Sequence, residues 1–434
     1  MTYVADESAF GGDILGGYIK RIVEDEIELD LSLFGAVVLR GPKWCGKTTT
    51  ARVHCSSEIS MTDPSGDFAN RRMAELDPSG AISGRRPMLI DEWQEVPKIW
   101  DAVRFECDLS GEPGLYILAG SATPRDADGP MHSGVGRFSI IRMDTMTLLE
   151  SGASSGAVSL RAIMGGAACG VHAGSMSGLA AVAEAVCRGG WPQSSGADVE
   201  RAMRLASRYV SLIAESDISK VDGVRRDPDK VARLIRSLAR NESTLAGTGA
   251  LIADMGGDVS RSTVSQYLSI LRRMHVVDDI PAWSPALRSP IRLRESAKRH
   301  LADPSIAAAA MGADPVSLSR DPKTLGLLFE SLVLHDLAVY ARAIGARVFH
   351  YHDASDLEVD AIIEKRDGEW AAVEVKLGSA QIEDGVRNLL RLERKMVERG
   401  ERAPVAKCVV IGFGSPSHTA EGGVSVIPID TLGV

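Results

Sequence analysis

Aromatic residues make up only 5% of this 434-residue chain, and it has just six cysteines. Cys45, Cys55, Cys107, Cys169, Cys187 and Cys408 show neither metal-knuckle spacing nor a tight pairing pattern. That excludes a zinc-ribbon module and a disulfide-stapled secreted scaffold. Reduced thiols in a cytoplasmic protein are the simplest account. An overall excess of basic charge is missing too. The net charge of −9 excludes a generally basic nucleic-acid coat. No basic stretch followed by an apolar run opens the sequence, so no signal peptide is expected. One long weakly polar stretch, MGGAACGVHAGSMSGLAAVAEAV, is broken by glycine and serine, so no membrane association is expected.

What is present is ordinary for a globular protein: 44% apolar and 25% charged residues. The length predicts about two to four domains. Charge is unevenly spread, with 14 Lys/Arg against 8 Asp/Glu between Arg225 and His300. A basic 225–300 segment in an acidic chain reads either as a surface for nucleic acid or as a solvated helical face.

Apolar, β-branched runs at AVVLR (36–40), PMLID (87–91) and GLYILAGS (114–121) read as buried strands. Helical patterns such as KIWDAVRFECDL lie between them, and this alternation predicts a parallel sheet covered on both faces. Residues 151–180 are rich in Gly, Ser and Ala, and helical spacing resumes over about 197–240. STLAGTGALIADMG, then DVSRSTVSQYLSILRRMHVV, then VVDDIPAW read as helix, turn, helix and a short hairpin, a winged helix-turn-helix. On its second helix Arg261, Arg272 and Arg273 can meet phosphates, and Ser262, Thr263 and Gln266 can face bases. An oligomer or lid module is the competing reading. The resulting expectation is α/β throughout: a parallel-sheet core at 1–150, a helical lid or linker at 151–240, a winged helix at 241–283 and an α/β domain at 284–434.

GPKWCGKT, Gly41 to Thr48, fits G-x-x-x-x-G-K-[ST] without mismatch, after a strand and opening a helix. Gly41, Pro42, Lys43, Trp44, Cys45, Gly46, Lys47, Thr48 and Thr49 are therefore expected to cradle the phosphates of ATP. Lys47 reaches the β- and γ-phosphates, and the Thr48 hydroxyl goes to Mg²⁺. PMLIDEWQ ends a strand in two acids. Asp91 is placed to hold Mg²⁺ and Glu92 to activate water, the alternative for Glu92 being a cap or surface acid. Ser121 ends the next strand, where it can sense the γ-phosphate. Arg137 in HSGVGRF is a candidate for stabilising the transferring phosphoryl, in its own chain or across a homo-oligomer boundary.

GYIKR, GPKWCGKTTTA, LIDEWQEVPKIWDAVR, LAGSATP, HSGVGRF and RGGWP, in this order, resemble the bacterial and archaeal AAA-type ATPases with a C-terminal DUF4143 domain. The resemblance spans nearly the whole chain. It implies the roles just given for Lys47, Thr48, Asp91, Glu92, Ser121 and Arg137, and it favours Arg137 over a plain surface arginine. GSAT stands where many members have two serines, and 151–180 is richer in glycine than usual.

LEVDAIIEKRDGEWAAVEVKLG (357–378) reads as a hairpin closing at KRDG. Glu374 and Lys376 share a face, and Asp360 can lie beside them. Asp followed by Glu-x-Lys, with Glu330 in a preceding helix, resembles the restriction-endonuclease-like core. There Asp360 and Glu374 would hold Mg²⁺, and Lys376 would position water. His350 and His352 stand where that family often has an arginine. The competing reading is a salt-bridge cluster in a domain that kept the fold and lost the chemistry. Two functions remain open: an Mg²⁺-dependent ATPase acting on nucleic acid, or an ATP-dependent switch with an inactive recognition domain.

Overall fold

The computed structural model describes residues 17–121, 136–221, 223–257, 259–286 and 296–434. The chain falls into two compact units, Met1–Met143 and Asp144–Val434.

The first unit is built on five strands: β1 (Ala36–Arg40), β2 (Ser57–Ser60), β3 (Met88–Asp91), β4 (Tyr116–Gly120) and β5 (Phe138–Arg142). All pair in parallel, in the order β2-β3-β4-β1-β5. Side chains alternate between faces, so the apolar run of β1 feeds two cores. Ala36 and Val38 pack with Ile90, Trp93, Trp100, Tyr116 and Leu118. Val37 and Leu39 pack with Ile27, Ala51, Leu89 and Ile117. Helices α1 (Glu24–Leu31) and α2 (Lys47–Val53) supply Ile27 and Ala51 on one face; α3 (Lys98–Ser110) supplies Trp100 on the other. Burial of each large apolar side chain contributes about 1.5–3 kcal/mol, which is why a continuous apolar run settles as a central strand. The sequence reading missed β2 and β5. Both are edge strands with one neighbour, so SEIS and FSIIR need less apolar character.

In the second unit, helices α4 (Leu179–Arg188), α5 (Val199–Leu212), α6 (Pro228–Arg240), α7 (Thr248–Asp254), α8 (Arg261–Arg273) and α9 (Pro304–Met311) precede two longer ones, α10 (Pro322–Ala343) and α11 (Ile382–Glu398). Asp227, Asp303 and Asp321 accept backbone N–H bonds at the starts of α6, α9 and α10, each just before a proline. Proline lacks the N–H that a first helical turn leaves unsatisfied, and each cap is worth about 1 kcal/mol.

The strands of this unit are β6 (Val158–Ser159), β7 (Val277–Ile280), β8 (Lys298–Leu301), β9 (Ala346–His352), β10 (Glu358–Lys365), β11 (Trp370–Gly378), β12 (Ala406–Phe413), β13 (His418–Thr419), β14 (Ser425–Pro428) and β15 (Leu432–Gly433). Six of them form one sheet in the order β13-β14-β12-β11-β10-β9. The hairpin β10–β11 is antiparallel with Ala361 opposite Val373, and β11–β12 and β12–β14 are parallel. Trp283, Phe349, Tyr351, Ile362, Trp370 and Leu389 lie in its core.

Two local expectations need correction, and one long apolar helix needs placing. VVDDIPAW is not a hairpin by itself: β7 pairs with β8, which arrives only at Lys298, and Ala282 bridges to His350. The glycine-rich stretch after 150 is not merely a weakly helical linker. Ser154 donates to the Leu432 carbonyl at 2.7 Å, and His172 N–H to Ser417 Oγ at 2.8 Å. Finally α10, with 22 residues and a mean hydropathy of 1.3, is long and apolar enough to cross a membrane by length and composition. Here it is a core helix, with Leu325, Leu328, Phe329, Val333, Leu337 and Tyr340 among its buried residues.

Candidate functional site

The loop after β1 is held from two sides. A Cβ at Gly41 would come within 1.9 Å of the Met143 carbonyl oxygen, so only glycine fits there. Cys45 is fully buried and its thiol donates to the same carbonyl at 3.4 Å, which gives this cysteine a packing role. Trp44 and Gly46 take positive φ, folding the loop tightly before Lys47. The buried Lys47 ammonium donates to the carbonyls of Gly41 at 3.0 Å and Pro42 at 2.7 Å, inside the loop that its motif forms. Pro42 is buried, Lys43 half-buried and Thr49 exposed.

Strand β3 delivers its two acids in different directions. The Thr48 hydroxyl donates to Asp91 Oδ1 at 2.8 Å, joining the helix start to the strand end. Burial raises the Asp91 carboxyl above its ordinary range, the Thr48 hydrogen bond offsets part of this, and neighbouring Glu92 adds to it. Glu92 has a left-handed backbone, φ 51°, which turns its side chain away from the line of Asp91. Ser121 Oγ donates to Glu92 Oε2 at 3.3 Å. Gln94 Nε2 also donates to Glu92 Oε2. The structure thus gathers Asp91 beside Thr48 and Glu92 beside Ser121. Gln94 escaped the sequence reading, although it lies two residues from Glu92 in the same motif.

A second group escaped it as well. The Arg21 guanidinium, in a residue 4% exposed, donates to the loop carbonyl of Cys45 at 2.7 Å. Tyr18 OH donates to Glu24 Oε1 at 2.7 Å and accepts from the Thr50 hydroxyl at 3.1 Å. GYIKR thereby braces the nucleotide loop and the first turn of α2. Its only trace in the sequence is its membership of the motif set.

Arg137 lies elsewhere. It immediately precedes Phe138, which pairs with Ala36 at the start of β1, whereas the loop follows Arg40 at the end. Five rises of a strand separate the two levels, about 16 Å, so Arg137 cannot reach the loop of its own chain. It is half-exposed and paired with Asp108. The rest of HSGVGR, residues 132–135, lies outside the described residues.

In the second unit the hairpin register, Ala361 opposite Val373, brings Asp360 alongside Glu374. Asp360 Oδ2 accepts the Val375 N–H at 2.8 Å. Glu374 Oε2 accepts from Lys376 Nζ at 2.5 Å, and its Oε1 accepts from Asn388 Nδ2 at 2.6 Å. Glu330 faces the same cluster, but its partner is Lys298 Nζ at 2.6 Å. Lys298 also meets Glu358 at 2.8 Å and Asp360 at 3.7 Å. Lys298 and Asn388 were not foreseen, because no local spacing links them to the hairpin; Glu358 lies in it, two residues before Asp360, and was passed over. Among the described residues no group of three His, Cys, Asp or Glu side chains is disposed to hold a metal ion. His350 is buried and bonded to the Ser296 carbonyl at 3.1 Å; burial pushes its imidazole down to about 4.

Much of the basic 225–300 segment is engaged internally. Arg233 donates to the Met255 carbonyl, Arg236 to that of Ala310, and Arg240 pairs with Asp254. Arg272 and Arg299 pair with Asp279. On α8, Arg261, Ser262 and Gln266 are exposed, Thr263 and Arg273 are half-buried, and the Ser262 and Thr263 hydroxyls bond Ser260, the helix cap.

Three family models match separate segments: an AAA domain over 34–151, a domain of unknown function (DUF8612) over 179–317, and another (DUF4143) over 325–432. Two uncharacterized proteins, from Mycobacterium tuberculosis and Mycobacterium bovis, are each 26% identical over 332 residues, 76% of this chain and 67% of theirs. Among solved structures, a Walker-type ATPase of Pyrococcus abyssi matches with TM-score 0.39 and 12% identity, over 66% of this chain and 93% of that one. A RuvB variant of Thermotoga maritima matches with TM-score 0.28 and 19% identity, over 61% and 90%. Those scores are too low to argue from, so the weight rests on the motifs, the parallel sheet and the domain matches. By these, residues 34–151 match an AAA domain that carries a P-loop on a parallel sheet, and residues 325–432 match a DUF4143 domain.

Proposed function

We propose that the first unit hydrolyses ATP in an Mg²⁺-dependent reaction. One observation carries this reading: two adjacent acids at the end of β3 are dealt to two different hydroxyls, Thr48 and Ser121. Asp91 and Thr48 are an oxygen pair suited to Mg²⁺, which takes one or two carboxylates plus phosphate oxygens rather than a full protein cage. Bound there, the ion would neutralise charge building on the β- and γ-phosphates. Lys47 binds the phosphates. Glu92, held by Ser121 and Gln94, orients a water and accepts its proton. Arg21 and the Met143 carbonyl keep the loop in shape. Steady-state turnover with ATP and Mg²⁺ tests this. Glu92→Gln should retain ATP binding and lose turnover, and equal turnover in the two proteins would remove Glu92 from the reaction.

Arg137, out of reach of its own loop, is proposed to complete a neighbour's site in a homo-oligomer. Mixing Arg137→Ala with Lys47→Ala protein should then restore part of the activity that each lacks. No recovery in mixed oligomers of verified composition rejects the role.

For the second unit we read α7, α8, β7 and β8 as a winged helix-turn-helix, and the β9–β14 sheet as a restriction-endonuclease-like fold. The exposed Arg261, Ser262 and Gln266 support nucleic-acid contact by α8. Turnover measured with and without DNA or RNA tests it, and an unchanged rate together with no binding favours a protein-directed switch.

A further inference from the structure

We propose that the carboxylate cluster of the second unit is neutralised by this chain's own Lys298 and takes no divalent cation. The endonuclease-like reading implies Mg²⁺ between Asp360 and Glu374, and the inference rests on that reading only for this expectation. The cluster does not fit the ion, oxygen by oxygen. Glu374 is 3% exposed, and its oxygens accept from Asn388 at 2.6 Å and Lys376 at 2.5 Å. Asp360 gives Oδ2 to the Val375 N–H at 2.8 Å and Oδ1 to the side of Lys298, 3.7 Å away. An Mg²⁺ ion needs carboxylate oxygens at about 2.0–2.1 Å, and here it would share all but Asp360 Oδ1 with an N–H donor and approach that oxygen from the side of the Lys298 ammonium.

Lys298 is no incidental neighbour. It is 1% exposed, and its backbone is fixed in β8 opposite Ile280. An ammonium has three N–H donors, and three carboxylates surround this one: Glu330 at 2.6 Å, Glu358 at 2.8 Å and Asp360 at 3.7 Å. A lysine buried this way cannot swing into water without abandoning its stem packing and leaving those acids uncompensated. A divalent ion beside it would meet a fixed positive charge at short range. Lys298 therefore acts as a built-in counter-ion tying β8 to α10 and β10.

The test is calorimetric titration of the nucleotide-free full chain with Mn²⁺, in the parent, Asp360→Asn, Lys298→Gln and the double variant. The parent is expected to show no cluster binding up to about 1 mM Mn²⁺. Any weaker heat should survive Asp360→Asn unchanged. Lys298→Gln should gain a site at least about tenfold tighter, which the double variant loses. Parent binding that Asp360→Asn abolishes would overturn the proposal. So would a folded Lys298→Gln that gains nothing. If Lys298→Gln fails to fold, the parent and Asp360→Asn titrations still decide. None of these outcomes bears on ATP turnover, and an empty titration leaves the endonuclease-like fold reading standing, since fold outlasts chemistry.

Discussion

The two acid sites of this protein use the same residue types and differ in what faces them. At the end of β3, Asp91 meets the Thr48 hydroxyl, while Glu92 meets the Ser121 hydroxyl and the Gln94 amide. A hydroxyl can itself turn a lone pair to a cation, so such a site can accept Mg²⁺ without losing its own contacts. In the second unit, Asp360 and Glu374 meet N–H donors: a backbone amide, an amide side chain and two ammonium groups. Those donors have no lone pair to offer a cation, and the two ammonium groups place positive charge beside it. Acidic pairs are therefore distinguished less by their spacing than by the chemistry of their donors.

The comparison can be broken most decisively at Glu92. Glu92→Gln keeps the shape and removes the base, and kcat is expected to fall about 10²–10⁴-fold with ATP affinity retained. Single-turnover kinetics would separate this from a loss of binding. Lys298→Met probes the other site. Removing one partner from a buried ion cluster should cost about 3–5 kcal/mol, measured as a lower urea midpoint at constant m. A neutral result would show that the acids do not depend on their ammonium. Asp91→Asn should contrast sharply. Burial already disfavours its charged form, so the amide should leave thermal stability unchanged or raise it while Mg²⁺-dependent turnover is lost.

Smaller effects sharpen the same contrast. Arg21→Met removes a charged donor from the Cys45 carbonyl. KM for ATP should rise about tenfold with little change in kcat, because the loop loosens while Glu92 stays in place. The smallest effect is on pH. The raised Asp91 carboxyl takes up a proton earlier than an ordinary aspartate as pH falls, and that proton competes with Mg²⁺. The Mg²⁺ concentration for half-maximal turnover should therefore climb as pH drops from about 7 to about 5. A flat response over that window would mean that Asp91 does not hold the ion.

The sequence by itself determined the local features. An eight-residue loop motif, strands ended by an acid pair or a serine, and a KRDG hairpin all act over a few residues. Their physics is φ/ψ preference, alternation and capping, which neighbouring residues largely settle. It also put Asp360, Glu374 and Lys376 on one face, since a period of two and a tight turn leave little choice. Tertiary structure decided the rest. Lys298 reaches Glu330 and Glu358 across 32 and more positions of sequence, and Arg21 reaches Cys45 across 24. Arg137 looked like a neighbour of the nucleotide until the register of β5 put it at the other end of the sheet. The edge strands β2 and β5 each found a single partner, β3 and β1, in segments far along the chain. Contacts of this kind form when distant segments fold against one another, and a buried charge takes its role from whichever donor or acceptor that packing brings within reach.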